Sequence, residues 1–120
     1  MASIGDSMAN SIEPLVTHKV ADEGDNVTLS CNYSGSINNL QWYRKYPKYN
    51  PEFLLYIFES GDLSHNIPPQ MSAKVHKDKQ VDLLISSAAV SDSALYYCAL
   101  VPDGGANKVI FGTSIKLTVD

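Results

Sequence analysis

The sequence has few of the features that mark membrane proteins or nucleic-acid-binding proteins. It has no apolar run near the length of about 18 residues that a membrane-spanning helix needs. Its formal net charge is only -4, so nothing indicates a nucleic acid or an anionic membrane surface as a partner. Charged residues are scarce at 18%, whereas hydrophobic residues reach 44% of the 120 positions. This balance predicts one globular domain with a buried core and argues against disorder.

The sequence also lacks a catalytic or metal-binding motif. His18, His65 and His76 are scattered along the chain, without the i, i+4 spacing or the Cys-x-x-Cys company of a zinc site. Gly104-Gly105 is not followed by the Lys and Ser/Thr of a phosphate-binding loop. An unpaired Cys98 would be a candidate nucleophile, which a thiol titration would reveal. We therefore expect no enzyme activity, no metal and no cofactor.

Only two cysteines and one tryptophan are present, and their spacing is informative. Cys31, Trp42 and Cys98 resemble the pattern of an immunoglobulin domain, in which one disulfide joins two sheets and packs on a buried indole. Tyr96 stands two residues before Cys98, where such domains have a tyrosine that bonds back to the backbone of the preceding turn. The resemblance implies a Cys31–Cys98 disulfide and an oxidising compartment. Two free buried thiols are the alternative, which Trp42 between the cysteines disfavours.

Alternating hydrophobic residues predict short strands and no helix. Val27, Leu29 and Cys31 alternate with polar residues, which is the period of a strand with one face in the core. About nine such strands, separated by turns, predict an all-β sandwich of the variable immunoglobulin type. Residues 12–120 are expected to form this domain, and residues 1–11 to be an expression remnant or a disordered N-terminal extension. The predicted core includes Leu29, Trp42, Leu83 and Tyr96. The predicted strands are 12–20, with a change of course at Pro14, then 27–31, 40–45, 53–58, 71–76, 81–86, the Tyr96 segment and 110–119.

Four motifs carry a closer resemblance to one family. They are GDNVTLSC at 24–31, WYR with YP at 42–47, DSALYYCAL at 92–100, and FG with KLTV between 111 and 119. From Ile12 to Asp120 the chain resembles a T-cell receptor alpha-chain variable domain joined to its J segment. A delta-chain or antibody light-chain variable domain, or a non-rearranging V-set cell-surface receptor, remains an alternative.

The resemblance implies that three loops bind a peptide held by a major histocompatibility (MHC) molecule. The loops follow the second, fourth and last-but-one strands of the domain. The resemblance also implies a receptor at the cell surface, anchored in the membrane through segments outside these 120 residues, which themselves are expected to be soluble. The loop residues are Ser34, Gly35, Ser36, Ile37, Asn38 and Asn39; Phe58, Glu59, Ser60, Gly61 and Asp62; and Val101, Pro102, Asp103, Gly104, Gly105, Ala106, Asn107 and Lys108.

The same resemblance implies that one outer face pairs with the variable domain of a receptor beta chain. The outward phase of a strand, or a position that follows a bulge, places on that face four aromatic residues, one proline and one lysine, an association surface rather than ordinary scatter. A symmetric homodimer is expected to be weak, because a two-fold axis would bring the lysine close to its own copy. The face comprises Tyr43, Lys45, Pro51, Phe53, Tyr97 and Phe111.

Three positions depart from the family pattern. Lys45 stands where a glutamine usually contacts the second chain, and Ser114 stands where the second glycine of Phe-Gly-x-Gly is usual. Gln70 replaces an arginine that often bridges the aspartate at position 92, so Asp92 is expected to accept uncharged hydrogen bonds instead. Asn26 and Asn32 begin two N-x-Ser/Thr sequons on the outward phase of their strand, which makes them candidate glycosylation sites.

Overall fold

The computed structural model describes residues 9–104 and 108–120. Within these ranges the chain forms nine strands and one short 3-10 turn, Val90–Asp92. The strands are β1 (Ser11–Pro14), β2 (His18–Ala21), β3 (Val27–Ser34), β4 (Ile37–Lys45), β5 (Glu52–Ile57), β6 (Met71–His76), β7 (Gln80–Ile85), β8 (Ala94–Pro102) and β9 (Ile110–Val119).

The strands form two sheets, which confirms the predicted all-β sandwich. One sheet has the order β1-β3-β7-β6 and the other β2-β9-β8-β4-β5. All neighbours are antiparallel except β2 and β9, which run parallel. Pro14 ends β1 in the first sheet, and the chain then crosses to the second sheet at His18. Proline has no N–H for a ladder hydrogen bond, which suits a strand that changes sheets at this point.

The core lies between the sheets and contains the predicted residues. Leu29, Trp42, Leu83 and Tyr96 are completely buried, because the strand period of two turns each of them inward. Leu29 faces Leu83 across β3 and β7, and Trp42 faces Cys98 across β4 and β8. The Cys31–Cys98 disulfide is present, so the sheets are joined covalently beside the indole, as predicted.

Tyr96 forms the expected hydrogen bond to the turn before its strand. Its hydroxyl donates to the carbonyl oxygen of Asp92 at 2.6 Å, inside the 3-10 turn Val90–Asp92. Asp92 also accepts a hydrogen bond from the backbone N–H of Ala89 at 2.8 Å. Burial raises the pKa of Tyr96 to about 12, although Arg44 nearby acts in the opposite direction. The phenol therefore stays a neutral donor at physiological pH.

The loop expected at 34–39 is a two-residue turn, so that prediction of local structure was wrong in extent. Ser34 ends β3, and Ile37 already begins β4. Ile37 packs against the core, and Asn39 accepts a hydrogen bond from Gln41 on the outer face at 3.1 Å. Packing and side-chain hydrogen bonds thus extend the strand through small polar residues that favour loops on propensity alone. Gly35 supports the tight turn with a φ of 90°.

The missing second glycine does not remove the bulge in β9. Tyr97 pairs with Ser114 and Ala99 with Phe111, so β9 has one residue more than β8 between these pairs. Among the residues with positive φ in the described chain, none lies between 111 and 114. Serine can therefore occupy position 114 without backbone strain.

Residues 9–11, just before the predicted domain, are part of the described structure. Asn10 donates from its side-chain amide to the carbonyl oxygen of Ser36 at 3.0 Å, and the hydroxyls of Ser11 and Ser34 lie 2.7 Å apart. Residues 1–8, the rest of the expected N-terminal extension, lie outside the described residues.

Candidate functional site

The first and third predicted loops lie side by side at one end of the sandwich. The backbone N–H of Asp103 donates to the carbonyl oxygen of Ser36 at 3.1 Å. Ile37 and Pro102 are paired across β4 and β8 immediately beside this bond. Backbone pairing therefore holds the start of the third loop against the turn that connects β3 and β4.

The second loop joins the same end through Glu59. The hydroxyl of Tyr33, at the end of β3, donates to the Glu59 carboxylate at 2.7 Å. Lys79 Nζ lies 3.7 Å from the same carboxylate and donates to the carbonyl oxygen of Gly35 at 3.0 Å. Burial, followed by the hydrogen bond to Glu59, raises the pKa of Tyr33 well above its usual range. Tyr33 is therefore held as a neutral donor between the first two loops.

The contacts of Lys79 with the first two loops were not predicted from the sequence. The segment around Lys79 was interpreted only as a turn, but its ammonium also lies 5.3 Å from the centre of the Tyr33 ring. The backbone carbonyl of Lys79 accepts a hydrogen bond from the Tyr33 N–H at 3.0 Å. Tyr33 and Lys79 are far apart in the sequence, and no local pattern of residue types predicts their contact.

The second loop is a compact turn. Gly61 donates from its N–H to the carbonyl oxygen of Phe58 at 2.8 Å, and the Phe58 N–H donates to Asp62 at 2.9 Å. Gly61 has a φ of 100°, which a side chain would disfavour. The loop backbone is thus fixed, while Glu59, Ser60 and Asp62 are exposed.

The third loop is described at its two ends. Val101 and Pro102 belong to β8, and Asp103 and Gly104 form the turn that follows. Lys108 is exposed at the other end of the loop. The predicted loop residues Gly105, Ala106 and Asn107 lie outside the described residues.

The six predicted face residues come together on the five-stranded sheet, with the four aromatic ones on β4, β5, β8 and β9. The ring centres of Tyr43 and Phe111 lie 5.0 Å apart, and those of Tyr43 and Phe53 lie 5.6 Å apart. Phe53 and Phe111 are 49% and 51% exposed. An extra residue in β5, opposite the Trp42–Tyr43 step of β4, turns Phe53 outward. This exposed aromatic cluster is typical of an association surface.

Tyr56 and Phe58, which were not among the predicted face residues, extend the aromatic face toward the second loop. The Tyr56 ring lies 6.5 Å from Phe53 and 5.4 Å from Phe58. Phe58 itself is 37% exposed at the start of the second loop. The aromatic surface and the loop end are therefore continuous on this side of the domain.

A line of polar groups also runs from the aromatic face to the loop end. The Tyr43 hydroxyl donates to Gln41 Oε1 at 2.6 Å, and Gln41 Nε2 donates to Asn39 Oδ1 at 3.1 Å. Burial raises the pKa of Tyr43, so its hydroxyl stays protonated as the first donor of the line. These bonds fix three outward side chains of β4 in one arrangement.

Asp92 accepts the expected uncharged hydrogen bond from Ala89, but the expectation that such bonds replace an arginine bridge was wrong, because Arg44 on β4 lies within ion-pair distance. Arg44 Nη1 lies 3.8 Å from Asp92, and Arg44 Nη2 lies 3.2 Å from Glu52. The Arg44 side chain lies on the same face of β4 as Leu40 and Trp42, at the point where β4 leaves the core. A guanidinium from β4 thus stands near the carboxylate where the family pattern has one from position 70.

The remaining candidates lie apart from one another. Asn26 and Asn32 are exposed, as the sequon interpretation requires. Across residues 9–104 and 108–120, no cluster of His, Cys, Asp and Glu side chains could hold a metal ion. In the same ranges, no helix has the length and apolarity to cross a membrane.

Comparison with known proteins identifies similar sequences over most of the chain. The model of the immunoglobulin V-set domain matches residues 17–120. The T-cell receptor alpha chain V region RL-5 of Oryctolagus cuniculus is 38% identical over 84% of this chain and 75% of its own length. The alpha chain V region 2B4 of Mus musculus is 34% identical over 83% and 76% of the two chains. T cell receptor beta variable 13 of Homo sapiens is 30% identical over 78% and 76%. These relatives are receptor chains and not enzymes.

Proposed function

This chain belongs to the immunoglobulin V-set family of T-cell receptor variable domains, and we propose that it is the antigen-recognition domain of an alpha chain. In this role it pairs with a beta-chain variable domain and binds peptide–MHC through its three loops. The single observation that carries the proposal is the continuity of two surfaces. An exposed aromatic face on the five-stranded sheet meets an end where the loops are bonded together.

The sequence similarity supports an alpha chain over a beta chain. The two alpha V regions share 38% and 34% identity with this chain, against 30% for the beta variable region. Residues 99–100 follow Cys98 as Ala-Leu, and a J-like strand with Phe111-Gly112 follows. A rearranged junction between these two pieces would account for the irregular sequence from Leu100 to Gly105.

The arrangement of the loops supports recognition of a composite ligand. Ser36, Glu59 and Asp103 all lie at one end, so one ligand surface can contact all three loops at once. The first two loops have backbones fixed by hydrogen bonds, which suits contact with the MHC molecule itself. The third loop has one anionic and one cationic end, Asp103 and Lys108, and is proposed to lie over the peptide.

The aromatic face supports pairing through the five-stranded sheet. Rings that pack against neighbouring rings, edge to face or tilted, lose little side-chain entropy when a partner covers them. Pairing would place the beta chain beside the loop end, so that its own loops could contact the same ligand. The complete chain is proposed to be a cell-surface receptor, anchored through segments beyond these residues.

A loop graft tests the recognition half of the proposal. Replacing residues 101–108 with the corresponding loop of another alpha variable domain should change which peptide–MHC is bound. Pairing with the beta domain should stay the same, because β8 and β9 outside the loop are intact. Surface plasmon resonance with peptide–MHC measures the first property, and size-exclusion chromatography with the beta domain measures the second.

The pairing half needs a separate variant. Phe111→Ser removes an exposed ring from the aromatic face without touching the buried core. It should weaken binding to the beta domain, whereas Val90→Ser, at another exposed hydrophobic position, should not. If the loop graft abolishes pairing, or Phe111→Ser leaves pairing unchanged, the assignment of the two surfaces is wrong.

A further inference from the structure

Lys45 is the charged member of the otherwise uncharged six-residue face. It is half-buried at the end of β4 and lines a groove of about 360 Å³ together with Pro51, Tyr97 and Phe111. It also lines a second groove of about 460 Å³, together with Pro47, Lys116 and neighbouring residues of β8 and β9. The Lys45 side chain therefore borders two largely apolar depressions.

No carboxylate in the described parts of the chain lies within 4.0 Å of the Lys45 ammonium group. Its one hydrogen bond is a long contact of 3.5 Å from Nζ to the carbonyl oxygen of Tyr46. The nearby acidic groups are engaged elsewhere, since Glu52 contacts Arg44 and Asp92 contacts Arg44 and Ala89. Water must at present supply the other hydrogen bonds of the ammonium group.

Covering this face would remove that water. Removing water from a lysine ammonium group costs much free energy when the group gains no hydrogen-bond acceptor in return. The cost is offset only when a partner supplies a negative charge or an acceptor dipole. A second copy of this chain cannot do so, because a two-fold axis through the face would bring two Lys45 ammonium groups together.

We propose that the variable domain that pairs with this chain places an aspartate or glutamate carboxylate against Lys45 Nζ. The inference rests on the proposed pairing and adds the chemistry of the partner at one position. The carboxylate would form a charge-assisted hydrogen bond in a seam walled by Pro51, Tyr97 and Phe111, where water screens it poorly. Lys45 is then a specificity-determining residue, because it selects partners with an acidic residue there and rejects partners with a basic one.

The test uses a displayed panel of beta-chain variable domains with unmodified sequences. Domains that bind the wild-type protein are sequenced, and their affinities for Lys45→Gln and Lys45→Glu are measured. We expect wild-type binders to carry Asp or Glu at one shared interface position. Their affinity should fall about tenfold or more for Lys45→Gln and further for Lys45→Glu. Replacing the partner's acidic residue with its amide should remove most of the difference between wild type and Lys45→Gln.

Lys19→Glu is the matched control, because Lys19 is exposed on β2 at the far edge of the same sheet. Lys19→Glu changes the net charge as much as Lys45→Glu does, and it should leave the affinity for the beta domains nearly unchanged. Circular dichroism of each variant confirms folding. Beta domains that bind Lys45→Gln as tightly as wild type would overturn the carboxylate inference while leaving the pairing proposal intact. If none of the beta domains binds any form of the chain, both proposals fail.

Discussion

The Tyr33 hydroxyl donates a 2.7 Å hydrogen bond to the Glu59 carboxylate and so connects the end of β3 to the second loop. Tyr33 is buried, whereas the Glu59 side chain is 48% exposed. Lys79 closes the arrangement from the turn between β6 and β7 by contacting the carboxylate, the Tyr33 ring and the Gly35 carbonyl. One buried phenol thus connects the first two predicted loops.

Tyr33→Phe should therefore loosen the second loop more than it destabilises the domain. Because Glu59 is half-exposed, water replaces the lost donor, and the free energy of unfolding should fall by only about 1 kcal/mol. Urea unfolding measures this change, and hydrogen exchange at the Gly61 amide should become faster. Tyr49→Phe is the control, since Tyr49 is 71% exposed. Unchanged exchange in Tyr33→Phe would show that the loop does not depend on this bond.

The disulfide should contribute substantially to stability. Cys31 and Cys98 are 67 positions apart, and loop-closure entropy for such a length predicts about 4 kcal/mol. Reduction should lower the urea midpoint accordingly. Trp42→Ala should cost about 3 to 5 kcal/mol, because it leaves a cavity at a fully buried position beside the bridge. A reduced protein that unfolds at the same urea midpoint as the oxidised protein would contradict the first expectation. A Trp42→Ala variant with the wild-type free energy of unfolding would contradict the second.

Gly112 should be needed for space and not for an unusual backbone angle. A Cβ atom at this position would lie 3.0 Å from Cys98 Sγ and 3.1 Å from the carbonyl oxygen of Ile12. Both neighbours are fixed, one by the disulfide and one by β1. Gly112→Ala should therefore destabilise the domain by about 1 to 3 kcal/mol in urea unfolding. Ser114→Gly, the change back to the family pattern, should not stabilise the domain, because position 114 needs no positive φ and glycine inside a strand costs about 0.5 to 1 kcal/mol.

The sequence predicted what depends on spacing and alternation. Cys31, Trp42 and Cys98 specified which strands face each other. The period of two placed Tyr43 and Phe111 on one outer face, and the bulge in β5 brings Phe53 to the same face. Spacing could not show that Asn39 would continue a strand, because the hydrogen bond from Gln41 that supports it forms only once the sheet exists. Lys79 and Tyr33 meet across 46 positions, so their contact depends on tertiary packing rather than on any local pattern.

The domain should lose stability in alkali. Burial raises the pKa of Tyr33, Tyr43 and Tyr96, the last to about 12. Above the ordinary tyrosine pKa near 10, the unfolded chain releases protons that the folded chain retains. The unfolded state then binds fewer protons, so the free energy of unfolding decreases as pH rises. The stabilisation is complete below about pH 10 and is lost progressively between about pH 10 and 12.

Urea unfolding at a series of pH values checks this dependence. Tyr33→Phe should show a shallower decline than wild type, because one perturbed phenol is gone. Tyr49→Phe should follow wild type, since it leaves all three of these phenols in place. A free energy of unfolding that stays constant from pH 9 to 12 would contradict the assignment of these tyrosines as neutral buried donors.

The isolated domain should self-associate only weakly. Its aromatic face is exposed, with Phe53 and Phe111 about half accessible, and a second copy could cover it. A two-fold arrangement would, however, bring Lys45 close to its own copy in a partly desolvated seam, where like charges oppose association. Lys45→Gln should therefore dimerise more tightly than wild type, and high salt should strengthen the wild-type dimer by screening the repulsion.

Sedimentation equilibrium distinguishes this charge repulsion from a face that simply does not fit itself. An equimolar mixture of wild type and Lys45→Glu places unlike charges opposite each other, so it should associate more tightly than either protein alone. Lys19→Glu mixed with wild type makes the same change in net charge away from the face, so this mixture should associate no more tightly than wild type alone. A submicromolar wild-type homodimer that is insensitive to salt would refute the repulsion, as would a Lys45→Gln variant that dimerises no better than wild type.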